Sequence, residues 1–232
     1  GMGAISAVIL QLCSSGDHVI SSRTIYGGTY AFMKNFLKRF GIDVSFVDIT
    51  DLRAVEAALR PNTKLIYCES VSNLLLEVAD IPGLSHLAKS RAIPLVVDNT
   101  FTPLSIAPAR LGADIVIHSL TKFINGTSDT VAGVICGSRD FCLALKDVND
   151  GACMLLGSTL DSLRAASILK NMRTLHLRMA KHSQNAMYLA QRFEKDGLRV
   201  VYPGLPSHPG HELMKAQLED AYGFGGILTL DV

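Results

Sequence analysis

The chain has 232 residues, of which 48% are hydrophobic and 19% charged, and its mean hydropathy is +0.28. That apolar fraction excludes intrinsic disorder as the main state and suffices for a large core. The formal net charge of +1, from 22 basic and 21 acidic residues, gives no electrostatic footprint for nucleic acid or an anionic membrane. The five cysteines, Cys13, Cys68, Cys136, Cys142 and Cys153, contain no C-x-x-C pair. An odd count without that spacing speaks against a disulfide framework or a zinc ribbon and for a reducing compartment. No apolar run reaches the roughly 18 residues of a membrane span and no signal-peptide pattern is visible, so the expected setting is cytoplasmic. The low charge fraction leaves apolar surface to cover, which points to an oligomer. The chain opens at Gly1 and stops in the apolar run Gly226-Ile-Leu-Thr-Leu-Asp-Val232, and both ends read as cut.

Gly1-Met2-Gly3-Ala4-Ile5 begins the chain, and helix-forming residues continue through Leu12. Small residues opening a helix present free N–H groups to a phosphate. The run is not a dinucleotide fingerprint, because Ser6 stands at the third glycine's place and no strand precedes it. Residues 18–21 form the first expected strand. Tyr26-Gly-Gly-Thr29 follows, its aromatic ring either stacking on a ligand ring or covering a helix start. From 29 to 40, Phe32, Phe36, Leu37 and Phe40 recur at helical spacing. A strand is expected at 44–48 and a helix at 52–59, stopped by Arg60-Pro61. Further strands are expected at 64–68, 94–98, 114–118 and 131–136, with a helix at 81–90. Several of these runs are apolar throughout, as strands buried on both faces are. Strand–helix–strand alternation predicts an α/β fold, a parallel sheet with helices on both faces. Beyond about 151 the pattern changes. Met154 to Leu156 reads as core. Residues 160–196 lack Gly and Pro and predict one or two long helices. Tyr202-Pro-Gly-Leu-Pro206 breaks the chain, and Tyr222-Gly-Phe-Gly-Gly226 leads into a last strand. A boundary is expected near 203, dividing a domain 1–203 from the start of another at 204–232.

Two motifs carry chemistry. Val96-Val97-Asp98-Asn99-Thr100 places an aspartate at the carboxyl end of an apolar strand, where open α/β sheets bind ligands. Alone, Asp98 also reads as a helix N-cap or turn residue. His118-Ser119-Leu120-Thr121-Lys122 places a lysine and two hydroxyls after the next strand. Alone, Lys122 also reads as a solvated surface lysine. Together they supply what pyridoxal phosphate requires, a lysine to bond the aldehyde carbon and an acid to hold the ring nitrogen protonated. His208-x-x-His211 is half a metal site interrupted by Pro209-Gly210, and no metal is expected. No G-x-S-x-G is present.

Gly1 to Ile5, Tyr26 to Thr29, Glu69-Ser-Val-Ser-Asn73, Asp98 to Phe101 and Ser119 to Lys122 occur in the order found in the Cys/Met-metabolism pyridoxal-phosphate enzymes, and the chain resembles that family throughout. Within it, Asp150 to Gly157, Tyr202 to Leu205 and Tyr222 to Gly226 are most similar to plant-type methionine γ-lyases. The resemblance implies the fold type I of aspartate aminotransferase, with a mainly parallel sheet in a large domain, and pyridoxal 5'-phosphate as cofactor. It implies Lys122 as the lysine bonded to the cofactor and Asp98 as partner of the ring nitrogen. Backbone N–H groups of Gly1 and Met2, with the hydroxyls of Ser119 and Thr121, would cup the phosphate. Tyr26 would stack on the ring and act at the γ leaving group, Asn73 would lie near the phenolic oxygen, and Glu69 would join that network. The implied substrate is a sulfur amino acid, cleaved to a thiol, a 2-oxo acid and ammonia. Transsulfuration by a cystathionine γ-lyase, a γ-synthase or an O-acylhomoserine sulfhydrylase, or an inactive fragment, are the alternatives. A homodimer or homotetramer is implied, with an N-terminal arm before Gly1 and most of a C-terminal domain after Val232. Val71 and Leu74 replace two prolines common in the family, leaving the loop that carries Asn73 less restrained. Gly28 stands where bacterial methionine γ-lyases often have cysteine.

Overall fold

The structure, a computed structural model, describes residues 1–219 and 221–231; Asp220 and Val232, the latter ending the expected last strand, lie outside the described residues. Six strands form the main sheet: β1 His18–Ser22, β2 Asp43–Val47, β3 Thr63–Glu69, β4 Leu95–Asp98, β5 Ile115–Ser119 and β6 Gly133–Cys136. Their order is β2-β1-β3-β4-β5-β6. Strands β1 to β5 pair in parallel, whereas β6 runs antiparallel to β5. The sheet is thus mainly parallel, as the family resemblance implies, and only its last strand departs from the all-parallel pattern. Between β5 and β6 lies only one short turn, Leu120–Ile124, and a loop, with no crossover helix to bring the chain back for parallel pairing.

The helices are α1 Met2–Leu12, α2 Gly27–Ala31, α3 Leu52–Ala57, α4 Ile81–Ser90, α5 Arg139–Ala144, α6 Ala152–Leu155, α7 Ser162–Met172, α8 Leu175–Lys195 and α9 His211–Gln217. The helical stretch expected over 29–40 winds irregularly. It passes from α2 into a π turn at Phe32–Phe36 and a 3-10 turn at Leu37–Phe40. Gly41, at φ 70°, ends it in the left-handed region. The stretch 160–196 is two helices. The Asp161 carboxylate caps α7 by accepting from the Leu163 and Arg164 N–H groups. Thr174, with non-helical ψ of 3°, separates α7 from α8.

Alternate side chains of each central strand enter opposite cores. Ile20, Ile66, Cys68, Leu95 and Val97 pack with Leu84 and Ala88 of α4. Val19, Leu65, Tyr67, Val96 and Ile117 pack with Ile5, Val8 and Ile9 of α1. Both faces are therefore buried, which is why these strands read as continuous apolar runs. Beyond α8, β7 Arg199–Val201 pairs with β8 Thr229–Asp231 in a small antiparallel sheet. Helix α9 returns to the first core, where the Gln217 side chain accepts from the Ile81 N–H and donates to the Ala79 carbonyl, both at 3.0 Å. Met154, Leu155 and Leu156 are 52%, 59% and 56% exposed, which corrects their reading as core. In α6 Ala152 turns inward against Ala7 and Leu145 and Cys153 packs at that cluster's edge, whereas Met154 and Leu155 face outward. Among the described residues no helix is long and apolar enough to cross a membrane.

His18 opens β1, at the sheet edge away from the strands' carboxyl ends. It is buried, with Nδ1 2.8 Å from Thr63 Oγ1 and Nε2 2.9 Å from Ser45 Oγ. Burial lowers its pKa below 6.5, Arg60 adds to the effect and Asp43 opposes it. The folded state thus disfavours the imidazolium, and stability falls as pH drops below the unfolded value of about 6.5. Urea midpoints should fall less for His18→Gln than for the parent between about pH 7 and about pH 5. Equal falls would show that His18 takes up no proton on unfolding.

Candidate active site

The carboxyl ends of β3, β4 and β5 and the start of α1 border a cleft of about 920 Å³. That volume suits a small-molecule site. Sheet order reverses at β1, which lies between β2 and β3, and open α/β sheets bind ligands beyond the strand ends near such a point. Gly1, Met2, Tyr26, Glu69, Asn73, Asp98, Ser119, Thr121 and Lys122 all line the cleft.

Asp98 ends β4 and is 7% exposed. Its Oδ1 accepts from the Thr100 N–H at 3.0 Å and from the Thr100 hydroxyl, and the buried Tyr67 hydroxyl points at Oδ2 from 3.4 Å. Burial raises the Asp98 pKa, and the Thr100 hydrogen bonds oppose that rise. No lysine, arginine or histidine side chain among the described residues pairs with this carboxyl. Thr100 Oγ1 also accepts from the Ser119 N–H at 2.8 Å, tying the ends of β4 and β5 together. Beside them, His118 Nδ1 lies 3.0 Å from the Asn99 carbonyl, and burial lowers the ring's pKa to about 4. The imidazole is therefore neutral at pH 7, with Nδ1–H as donor.

Lys122 lies in the turn after β5, exposed to the cleft, with non-helical φ −94° and ψ −124°. Arg178 of α8 holds this turn from behind. Its guanidinium donates to the carbonyls of Phe123 and Ile124, and to that of Asn171 at the end of α7. Gly126, at φ 78°, passes so close that a Cβ there would overlap the guanidinium. Asn125 is fully buried and donates to Thr127 Oγ1 and Asp129 Oδ1, while Asn171 Nδ2 donates to Asn125 Oδ1.

The opening of α1 faces the same cleft. The Met2 and Gly3 N–H groups precede the first intrahelical bonds, since Ala4 N–H is the first to find the Gly1 carbonyl. Gly133 of β6 allows that approach, for a Cβ there would lie 2.7 Å from Gly1 N and 2.9 Å from Ala4 Cβ. The two hydroxyls of the Ser119–Lys122 motif differ. Thr121 Oγ1 donates to the Ala132 carbonyl at 3.3 Å and accepts its N–H at 3.1 Å. Ser119 Oγ has no protein partner among the described residues.

Glu69 ends β3 and is 8% exposed. Oε1 accepts from the Tyr26 N–H and Oε2 from the Asn73 N–H, each at 2.8 Å. Burial raises its pKa to about 7 against the pull of those two donors, and Asp98 adds to the rise. Tyr26 immediately precedes α2 and is 48% exposed.

Several lining residues escaped the sequence reading. Thr100 had a signal, because Asp-x-Thr is the spacing of an aspartate that accepts the N–H two positions on. His182 and Ile227 had none. His182 comes from α8, edge-on to Phe123 at 5.4 Å, and Ile227 from the segment that follows α9. His208 lies in the turn before α9 and His211 opens that helix; His208 Nδ1 accepts the Gly210 N–H and His211 Nδ1 lies 2.9 Å from the Pro203 carbonyl.

Comparison with known proteins places the chain in a family. The family model for Cys/Met metabolism PLP-dependent enzymes matches residues 1–232. The chain is 47% identical to a methionine gamma-lyase of Arabidopsis thaliana, all of this chain matching 53% of that protein. It is 45% identical to an O-succinylhomoserine sulfhydrylase of Pseudomonas aeruginosa, with all of this chain matching 57% of it. A crystal structure of cystathionine gamma-lyase from Lactobacillus plantarum superposes with a TM-score of 0.92 at 34% identity, covering 100% of this chain and 60% of that one. The chain thus spans a little over half the length of the relatives it matches. On this evidence the chain belongs to the Cys/Met-metabolism family of PLP-dependent enzymes.

Proposed function

We propose that the chain holds pyridoxal phosphate in this cleft and forms the cofactor-bearing part of a carbon–sulfur lyase that acts on a sulfur amino acid by γ-elimination. The observation that carries the reading is the buried Asp98 carboxyl, without a cationic side chain, sharing a cleft with the Lys122 amine. A buried carboxyl of this kind is stabilised in its charged form by a cationic partner, and a protonated pyridine nitrogen supplies one. The remaining donors also fit. The free Ser119 hydroxyl and the first N–H groups of α1 suit a phosphate. The Thr121 hydroxyl, already bonded to Ala132 in both directions, shapes the cup rather than filling it.

When bound, the cofactor supplies an electron sink for charge that develops at the substrate's Cα. Lys122 would hold the cofactor, and its amine, which lines the cleft, would serve as the base that takes the proton from Cα and carries protons at Cβ. Asp98, held in place by Thr100, would keep the proton on the ring nitrogen. Tyr26 and Asn73 line the same cleft; Tyr26 would cover the cofactor ring and act as acid–base group where the Cγ–S bond breaks, and Asn73 would hold the ring's phenolic oxygen. The sulfur leaves as a thiol, and water releases the carbon skeleton as a 2-oxo acid and ammonia. A second reading, replacement at Cγ, is favoured by the near-equal identity to the sulfhydrylase. A substrate panel scored for 2-oxo acid against thioether formation separates the two.

Five free cysteines fit a cytoplasmic setting. Leu155, Leu163 and Leu169, at 59%, 83% and 62% exposure, fit a homo-oligomer that covers α6 and α7.

Borohydride treatment of the protein with pyridoxal phosphate should fix the cofactor's mass on Lys122, and Lys122→Ala should take up none. Labelling elsewhere with equal yield in both proteins would overturn the assignment. Asp98→Asn should lower turnover by about a hundredfold or more while changing cofactor affinity far less. Unchanged turnover would remove the ring-nitrogen role.

A further inference from the structure

We infer that Glu69 is a positioning residue that fastens the loop after β1 to the loop after β3, so that Tyr26 and Asn73 present to the cleft as one unit. The inference deepens the proposed function and rests on it for the roles of those two residues. The geometry itself does not depend on any ligand.

The two oxygens of one carboxylate divide between two chain segments. Oε1 takes the Tyr26 N–H and Oε2 the Asn73 N–H, each at 2.8 Å. A hydrogen bond to an ionised acceptor is roughly twice as strong as a neutral one. Both loops need such an anchor. The Tyr26 ring is half exposed. The Asn73 loop carries Val71 and Leu74 without proline, and it places Leu74 and Leu76 at φ 71° and 53°. That left-handed region is uncommon for a leucine. Glu69 is fixed in turn by its register opposite Asp98 on β4, so the anchor moves with the sheet.

The anchor holds in the ionised form. Protonation turns one oxygen into a hydroxyl, a weaker acceptor than the carboxylate, so the bonds to the two N–H groups weaken. The titratable groups that face Glu69 are Asp98 on β4 and Tyr67 and Cys68 on its own strand. All are acids, so none offers it a counter-charge. The folded pKa of about 7 places release just below neutral pH.

Peptide-resolved amide exchange on the full-length protein tests this without turnover. Glu69→Gln should raise exchange by about tenfold or more in peptides spanning Tyr26 and Asn73 and leave β4 unchanged. The same two peptides of the unmutated protein should lose protection between about pH 8 and about pH 5.5, after correction for intrinsic exchange. Cofactor affinity should weaken about tenfold in the variant. Unchanged exchange at both loops, or an equal rise in β4, would overturn the inference. Expected exchange with no label on Lys122 would instead remove the cofactor assignment and leave the fastening in place.

Discussion

The parallel pairing of β3, β4 and β5 is the constraint on which the cleft depends. It brings Glu69 opposite Asp98 and lets the Thr100 hydroxyl bridge from Asp98 to the Ser119 N–H. Three strand ends that are far apart in sequence thereby become one rigid rim. The apolar strand interiors make this register costly to shift, because a one-residue slip would turn buried side chains to the wrong core. Precision at the rim therefore derives from packing well below it, where Ile66, Val96 and Val97 are fully buried.

On that rim the polar groups are arranged unevenly. Asp98 and Glu69 are both buried acids with raised pKa, one braced by a side chain two positions on and the other by two backbone donors from separate loops. His118 is kept neutral beside them. Two acids whose charge is poorly solvated thus stand at the strand ends, in the same cleft lining as the Lys122 amine, and a cationic atom placed beside them is what such a pair stabilises best.

Strand positions are legible in the sequence because burial on both faces leaves short apolar runs, and Asp98 and Ser119 stand out as polar residues that end them. Direction is less legible. The composition of residues 133–136 is the same for a parallel or an antiparallel partner, and only the missing crossover helix decides it. The irregular winding of 32–40 escapes notice because phenylalanines four apart satisfy a helical pattern whatever the exact turn. Met154 to Leu156 mislead for a related reason, since apolarity marks a buried face and a face awaiting cover alike. The family motifs collect the cleft's floor, where function is carried by short contiguous runs. The wall formed by His182 and Ile227 is drawn from distant segments, so no local pattern announces it.

The contact between Arg178 and Gly126 carries a consequence for how this protein can change. The turn that bears Lys122 has two of its carbonyls satisfied by a helix more than fifty positions downstream, and the glycine that lets the guanidinium in follows that turn by two positions. A side chain acquired at 126 would push the Arg178 guanidinium off the carbonyls it holds, and at φ 78° its own backbone would be strained as well. The lysine turn is therefore not a module that can be grafted or diversified alone. It travels with its arginine, and a designer or an evolving lineage that alters one inherits an obligation to alter the other.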